Sequence, residues 1–115
     1  MKSLKDHKNI SESEKDILAR CSDAIRSIEP SAEVILYGSR ARGDAEPESD
    51  YDLLILTEGE VTLEREDLFR QRLFPIELET GAVLTVMLTG KDSWNSPLYN
   101  VMPLYQNIRK DGLIL

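Results

Sequence analysis

The chain has 115 residues, of which 41% are hydrophobic, with one cysteine and a formal net charge of -7. A chain of this length can bury most of its unfolded surface without disulfides or a structural metal, so we expect one domain over residues 1–115. The lone Cys21 excludes an intramolecular disulfide and favours a reducing compartment. The acidic charge disfavours a broad nucleic-acid surface, because it repels a phosphate backbone.

Residues 1–10 are polar and lack the apolar stretch of a signal peptide. No later run approaches the roughly 20 apolar residues that a membrane span needs. We therefore expect a flexible N-terminal segment on a cytoplasmic protein that has no membrane partner. A helix should follow, capped by Ser11 or Ser13 and ending near Glu29, because apolar residues recur at helical spacing until Pro30.

Two short apolar runs predict interior strands at residues 33–38 and 50–57. Each run is continuous and rich in β-forming residues, which is typical of strands that are covered on both faces. The segment between them is polar and contains Gly43 and Pro47, so it can hold one helical turn at residues 39–42 and then a loop.

The second half of the chain continues the alternation of helices and strands. A helical pattern spans residues 62–80, although Pro75 should kink or split it. Residues 82–88 predict a third strand, and a last helical region should be interrupted near Pro103. This order of elements predicts an α+β fold, in which helices pack on a small sheet.

Asp50 and Asp52 are unusual because they stand where an interior strand is expected to be apolar. Side chains alternate along a strand, so the two carboxylates should point to the same side, with Cβ atoms about 7 Å apart. Without compensation they would repel each other and lose hydration. A magnesium ion resolves the conflict, because it accepts one or two carboxylates and takes its other ligands from water and substrate phosphates. The pair therefore predicts a Mg²⁺ site.

Gly38 and Ser39 lie at the end of the preceding strand and suggest a phosphate-binding turn. Gly38 lets the backbone approach a ligand, and the Ser39 hydroxyl and nearby amides can bind phosphate oxygens. Arg40 or Arg42 could add charge-assisted contacts to the same anion. Each feature is common by itself, so an aspartate that only caps a loop and an ordinary Gly-Ser turn remain alternatives.

The string YGSRARGDAEPESDYDLLIL, residues 37–56, combines these features. Gly38–Ser39 is followed by ten residues and then by Asp50–Asp52. This arrangement resembles the signature of the DNA polymerase β-like nucleotidyltransferase superfamily, and the short chain resembles its minimal nucleotidyltransferase branch. The final segment SPLYNVMPLYQNIRKDGLIL is similar to the tail of many small members, so the resemblance covers the chain from Val34 onward.

The resemblance implies a mixed, palm-like sheet with helices on one face. It also implies that a nucleoside triphosphate, with ATP as the expected one, binds at Gly38 and Ser39, and that Asp50 and Asp52 bind Mg²⁺. The implied reaction transfers a nucleoside monophosphate, AMP in the case of ATP, to a hydroxyl of a protein or another acceptor. Small members are often paired with a HEPN-domain protein as toxin and antitoxin, which implies such a partner here.

One part of the family pattern is missing. The family has a third carboxylate on a later strand, whereas the predicted strand at residues 82–88 offers only Thr85 as a polar side chain. The nearest acids, Glu77, Glu79 and Asp92, lie outside that strand. Two interpretations therefore stay open: a transferase that works with two aspartates and one Mg²⁺, or a domain that binds a nucleotide or a partner without chemistry.

Several aromatic residues could contact a nucleobase or pack in the core. Trp94, Tyr99 and Tyr105 have a spacing that suits either role, and aromatic residues at helical spacing more often pack in a core. We therefore expect them, together with Tyr37, to pack.

Overall fold

The computed structural model describes residues 1–4, 7 and 10–115. None of the helices in this part of the chain is both long enough and apolar enough to cross a membrane. The elements in chain order are β1 (Lys2–Ser3), α1 (Glu12–Ile28), β2 (Glu33–Tyr37), α2 (Ser39–Arg42), β3 (Tyr51–Thr57), α3 (Leu63–Thr80), β4 (Leu84–Gly90), α4 (Lys91–Trp94), α5 (Pro97–Asn100), α6 (Pro103–Asp111) and β5 (Leu113–Ile114).

The strands form one mixed sheet in the order β1-β5-β2-β3-β4. Strand β2 runs antiparallel to both β3 and β5, whereas β3 and β4 are parallel and are joined through α3. This mixed sheet with packed helices confirms the predicted α+β fold class. Because β2 and β3 are antiparallel, the end of β2 lies beside the beginning of β3.

One face of the sheet is covered by α1 and α3, which together form the larger core. The strand residues of this core alternate with residues on the other face, as the pleat requires. The buried side chains that meet there include Leu18, Cys21 and Ile25 of α1, Phe69, Leu73 and Ile76 of α3, and Val34, Leu36, Leu53, Ile55 and Val86 of the strands.

The opposite face is covered in part by α4, α5 and α6, which form a second, smaller core. Its buried side chains are Ile35, Leu54, Leu56, Trp94, Tyr105 and Ile108. The expectation of helices on one face, which came from the family resemblance, is therefore wrong for this chain, because helices pack on both faces. The predicted packing of Trp94 and Tyr105 is confirmed, and Tyr99 stacks on Tyr105 with ring centroids 4.4 Å apart.

Helix α1 begins at a capping box. The Ser11 hydroxyl accepts a hydrogen bond from the Glu14 amide, and the Glu14 side chain accepts one from the Ser11 amide. Two amides that a helix start leaves unpaired are satisfied in this way, which is worth about 1 kcal/mol. The predicted cap is confirmed, with Ser11 in that role rather than Ser13.

Helix α3 and strand β4 differ from their predicted forms. Helix α3 is one continuous helix through Pro75, so the predicted split is wrong. It ends at Gly81, whose φ of 76° turns the chain back towards the sheet. Strand β4 begins at Leu84, two residues later than predicted, because residues 81–83 make this reversal.

The sequence pattern missed two strands of two residues each. Lys2–Ser3 pairs with Leu113–Ile114, which in turn pairs with β2. The prediction of a flexible segment at residues 1–10 also concerns residues 5, 6, 8 and 9, which lie outside the described part of the chain. Within the described part, Lys2–Ser3 forms an edge strand of the sheet.

Candidate active site

The sequence motifs meet at one end of the sheet, where β2 ends and β3 and β4 begin. Asp52 is the register partner of Tyr37 on β2 and of Thr85 on β4. These three side chains form a row across one face of the sheet, because paired residues of neighbouring strands point to the same side. It is the face that carries the smaller core, so α4 to α6 stand beside the row.

Gly38 lies directly against the carboxylate of Asp52. Its backbone has a φ of 76° and a ψ of -159°, a region that only glycine occupies readily. A Cβ atom at this position would collide with Oδ2 of Asp52 and would lie 3.3 Å from its Cγ. The geometry therefore requires glycine at residue 38 for two separate reasons, backbone conformation and the space that Asp52 fills.

The Asp52 carboxylate is partly buried, and its two oxygens have different surroundings. Oδ1 accepts a hydrogen bond from the Thr85 hydroxyl at 2.6 Å. Oδ2 is the atom that lies against Gly38. One oxygen is thus held by the neighbouring strand, and the other faces the turn at which α2 begins.

Asp50 lies one residue before β3 and is exposed. The prediction placed it within the strand, but strand pairing starts at Tyr51, whose amide donates to the carbonyl of Val83 at 2.8 Å. In the described residues, no hydrogen bond or ion pair engages the Asp50 carboxylate. A ligand of Asp50 would therefore displace no partner within the described residues.

Ser39 begins the predicted helical turn, which is confirmed as α2. The amides of Ala41 and Arg42 both donate to the carbonyl of Gly38 at 3.1 Å. The amides of Ser39 and Arg40 precede these first helical bonds, as they do at any helix start. The Ser39 hydroxyl makes no hydrogen bond within the part of the chain that the structure describes.

Arg40 is directed into the protein. Its guanidinium donates to the carbonyls of Ser49 and Pro47 at 2.8 to 3.0 Å and to Glu14 at 3.2 Å. It also lies 4.2 Å from the ring centre of Tyr51, and its side chain is only 11% exposed. Arg40 thus ties the loop that leads to Asp50 to the beginning of α1.

The contact with Arg40 helps to lower the pKa of the Glu14 carboxyl group. Burial by itself would raise its pKa, but hydrogen bonds from the Ser11 backbone and hydroxyl and from Arg40 outweigh burial and lower the pKa below its ordinary value. Glu14 therefore stays ionised and remains a partner for Arg40 near neutral pH.

Arg42 has a different environment from Arg40. Its side chain is 46% exposed, and its Nε donates to Asp44 at 3.3 Å, in the same loop. An exposed ion pair of this kind is weak, so the guanidinium can exchange Asp44 for another anion at little cost. Of the two arginines predicted to contact phosphate, Arg42 is the one whose present contacts leave it available.

Tyr37 is a residue of this row whose position the sequence interpretation did not resolve. It was expected to pack, and it does contact the smaller core, yet it is only half-buried and lies next to Asp52. Burial raises the pKa of the Tyr37 phenol, and the nearby Asp52 and Tyr105 raise it further. The phenol is therefore protonated at neutral pH and can donate a hydrogen bond. Only the β2–β3 register could have revealed this placement.

Within the part of the chain that the structure describes, no third carboxylate joins the pair. Glu77 accepts from the Leu84 amide at 3.0 Å, Glu79 pairs with Arg20, and Asp92 lies on α4 at the far end of β4. Among residues 1–4, 7 and 10–115, no group of three or more His, Cys, Asp or Glu side chains is placed to hold a metal ion. The site therefore offers two carboxylates, one hydroxyl-bearing turn and one exposed arginine.

The model of the nucleotidyltransferase domain family matches residues 18–94, which are more than half of the chain and include residues 37–42, Asp50, Asp52 and Thr85. The chain belongs to this family, whose general reaction is the transfer of a nucleotidyl group. A search among curated proteins found no match.

Two solved structures are similar to the chain. One is a crystal structure of the Cid1 poly(U) polymerase with MgGTP bound, with 17% sequence identity and a TM-score of 0.47. The other is a structure of Cid1 described for its RNA terminal uridylyl transferase activity, with 20% identity and a TM-score of 0.44. The matches cover 87% and 89% of this chain, but only 38% of each Cid1 chain.

Proposed function

We propose that the protein is a Mg²⁺-dependent nucleotidyltransferase that uses a nucleoside triphosphate, ATP being the expected one. The observation that carries the proposal is the contact between Gly38 and Asp52. It brings the Gly-Ser turn and the paired aspartates, which are separated in sequence, to the same end of the sheet. In this proposal Asp50 and Asp52 hold the metal, while Gly38, Ser39 and Arg42 hold the phosphates.

The residues present suit a magnesium ion. Asp50 and Oδ2 of Asp52 supply hard oxygen ligands, and the missing side chain of Gly38 leaves room for Oδ2 at the turn. When bound, Mg²⁺ would neutralise part of the triphosphate charge and orient the reacting phosphate. Two carboxylates leave room for water and phosphate oxygens, which is the usual pattern for this ion.

The contribution of the chain to the reaction is positioning and electrostatics. The Ser39 hydroxyl and the first amides of α2 bind oxygens of the β- and γ-phosphates, and Arg42 adds charge. The oxygen of an acceptor hydroxyl then bonds to the α-phosphorus, and the bond from that phosphorus to the bridging oxygen breaks. Pyrophosphate leaves, and the hydroxyl proton passes to solvent.

The acceptor is proposed to be a hydroxyl on a protein or on another partner molecule. The resemblance to the minimal nucleotidyltransferase branch supports a HEPN-domain protein, with this chain as the antitoxin of the pair and AMP as the transferred group. The net charge of -7 supports a protein more than a nucleic acid, because an acidic surface repels a polyphosphate chain.

A second function is favoured by the absence of a third carboxylate among the described residues. Thr85 occupies the position on β4 that is in register with Asp52, and a neutral hydroxyl is a poor base at neutral pH. A domain that binds nucleotide or partner without turnover would have this composition. The two functions predict the same binding and different chemistry.

Transfer of label separates the two functions. The protein is incubated with Mg²⁺, ATP labelled at the α-phosphate and the product of its neighbouring gene, and transfer to protein is measured. For the enzyme we expect transfer that falls about 100-fold or more in Asp50→Asn and Asp52→Asn. Asp92→Asn is the matched control, because Asp92 is an exposed aspartate at the other end of β4.

Three results would contradict a transferase whose chemistry depends on Asp50 and Asp52. Wild-type protein that binds ATP without transferring label would support the binding domain. Transfer that survives both site substitutions would place the chemistry elsewhere. Equal loss in Asp92→Asn would show that the assay reports general damage rather than this site.

A further inference from the structure

The two aspartates of the site differ in how firmly they are held. Asp52 lies within β3, and its carboxylate is hydrogen-bonded, whereas Asp50 precedes the strand and its carboxylate is free among the described residues. The hydrogen bond to Asp52 comes from one residue, Thr85. Its role is not explained by metal binding, because a neutral hydroxyl is a weak ligand for magnesium.

The bond between Thr85 and Asp52 is short and specific. The distance of 2.6 Å from Oγ1 to Oδ1 is typical of a hydroxyl that donates to an ionised carboxylate. Among the described residues, its one other hydrogen bond is to the carbonyl of Tyr51 at 3.5 Å, a marginal distance. The β-branched side chain of threonine restricts rotation about its first torsion, so the hydroxyl is held in place by the strand.

The pairing of β3 with β4 fixes the contact between Thr85 and Asp52. Asp52 and Thr85 are register partners on parallel strands that continue pairing to Thr57 and Gly90. A slip of one residue would move Leu53 and Val86, which are buried in the larger core, to the other face of the sheet. Burial of these residues in the larger core therefore fixes the register that places the Thr85 hydroxyl next to the Asp52 carboxylate.

We propose that Thr85 is a positioning residue that holds the Asp52 carboxylate so that Oδ2 alone faces the Gly38 turn. Bound through Oδ1 on one side and confined by Gly38 on the other, this carboxylate does not need to rotate when a cation arrives. Asp52 then provides one preset ligand atom, and Asp50, which is exposed and has no partner among the described residues, provides the adjustable one. The inference rests on the proposed function, since it assigns Thr85 a part in the same site.

The test is a Mg²⁺ titration of ATP binding, measured as the rise in the melting midpoint at a fixed ATP concentration. We expect Thr85→Val to require about 10-fold to 100-fold more Mg²⁺ for half of the rise, the usual effect of losing a group that orients a metal ligand. Thr85→Ser keeps the hydroxyl and should remain within about twofold of wild type. Thr89→Val is the matched control, because Thr89 lies on the same strand and face as Thr85, four residues further along β4, and pairs with Leu56 rather than with Asp52.

The outcomes distinguish the inference from the proposed function. If wild type shows no Mg²⁺-dependent rise, the proposed function fails, and the inference fails with it. If wild type shows the rise and Thr85→Val requires no more Mg²⁺, only the inference is overturned. Equal losses in Thr85→Ser and Thr85→Val would also overturn it, because the hydroxyl would not be the cause.

A second variant guards against misfolding. Circular dichroism and melting in EDTA establish whether Thr85→Val is folded, and Thr85→Ala replaces it if it is not. We also expect Thr85→Val to cause no further loss when Asp52 is already asparagine, because the two residues act through one contact. Full additive losses in the Asp52→Asn background would contradict the role of Thr85 in positioning Asp52.

Discussion

Gly38 and Asp52 show how closely single residues are matched at this site. The Asp52 carboxylate fills the space where any other residue at position 38 would carry its Cβ. From the sequence, glycine was expected at this position so that the backbone could approach a phosphate. The structure shows a second requirement, because the Asp52 side chain leaves no space for a Cβ atom. Substitution at Gly38 should therefore damage the site even before a ligand binds.

We expect Gly38→Ala to lower the free energy of unfolding by more than Gly81→Ala does. Both glycines have a φ of 76°, but their ψ values differ. Gly81, with a ψ of 0°, is left-handed helical and costs alanine about 1 to 2 kcal/mol, whereas the ψ of -159° at Gly38 lies in a region almost exclusive to glycine and costs about 1 to 3 kcal/mol. Only Gly38 also meets Asp52, because a Cβ on Gly81 has no neighbour within 4 Å. Denaturant unfolding measures both costs.

The two glycine variants should also differ in nucleotide binding. Gly38→Ala should also abolish Mg²⁺-dependent ATP binding, while Gly81→Ala should leave it unchanged. Equal effects of the two variants on stability and on binding would mean that the contact with Asp52 is unimportant.

At the scale of elements, Arg40 connects three parts of the chain. It joins α1 through Glu14 and the loop before β3 through the carbonyls of Pro47 and Ser49, and it stacks on Tyr51. These contacts position the segment that carries Asp50. The sequence motif alone suggested a phosphate contact for Arg40, because the motif could not show that its partners lie in the same loop and in α1.

Arg40→Ala should therefore mainly affect the stability of the fold, whereas Arg42→Ala should mainly affect ATP binding. We expect Arg40→Ala to lower the free energy of unfolding by about 2 to 3 kcal/mol, since it removes several charge-assisted hydrogen bonds. Arg42→Ala should leave stability nearly unchanged and weaken ATP binding. Urea unfolding and calorimetric titration with Mg²⁺ and ATP measure the two effects. A reversal of the pattern would identify Arg40 as the phosphate ligand.

A second connection between elements lies at the opposite end of the sheet. Glu29, which follows α1, accepts hydrogen bonds from Arg65 of α3 at 2.8 Å and from Thr57 at the end of β3. Its second oxygen accepts from the Glu58 amide at 3.1 Å. Burial would raise the Glu29 pKa, but these hydrogen bonds and the Arg65 charge outweigh it and lower the pKa to about 2.

This depressed pKa makes stability depend on pH in a defined window. The stabilisation is complete above the ordinary pKa of 4.5 and is lost as the pH falls through the folded-state value of about 2. Its size is about 3 kcal/mol at most, from the shift between those two values. We expect Glu29→Gln to reduce stability at pH 7 and to differ progressively less from wild type below pH 4.5.

Urea unfolding at several pH values measures this difference. Glu48→Gln is the control, because Glu48 is exposed in the loop before β3 and makes no interaction among the described residues. A gap between wild type and Glu29→Gln that stays constant from neutral pH to pH 2 would contradict the role of the Glu29 contacts.

At the scale of the whole molecule, local patterns predicted the elements better than their pairing. The apolar runs predicted β2 and β3 within one residue, because each run is flanked by polar turns. Strands β1 and β5 have two residues each and no periodic pattern, so only the folded sheet reveals them. The same limit applies to the site, since the contact of Thr85 with Asp52 depends on the register of distant strands.

The acidic character of the whole molecule also bears on its function. With a net charge of -7, the protein repels a free nucleoside triphosphate unless a cation accompanies it. Asp50 and Asp52 increase this repulsion locally, so the site is suited to a nucleotide only in the presence of a metal ion. Binding should therefore depend strictly on Mg²⁺, and this dependence should arise from the two aspartates.

Calorimetric titration of ATP into the wild type and into the Asp50→Asn/Asp52→Asn double variant, each with Mg²⁺ and with EDTA, tests this dependence directly. We expect saturable binding by the wild type in Mg²⁺ alone, and loss of the Mg²⁺ requirement or of binding itself in the folded double variant. Equal Mg²⁺-dependent binding by both proteins, or equal binding by the wild type in Mg²⁺ and in EDTA, would contradict a metal site formed by these two aspartates.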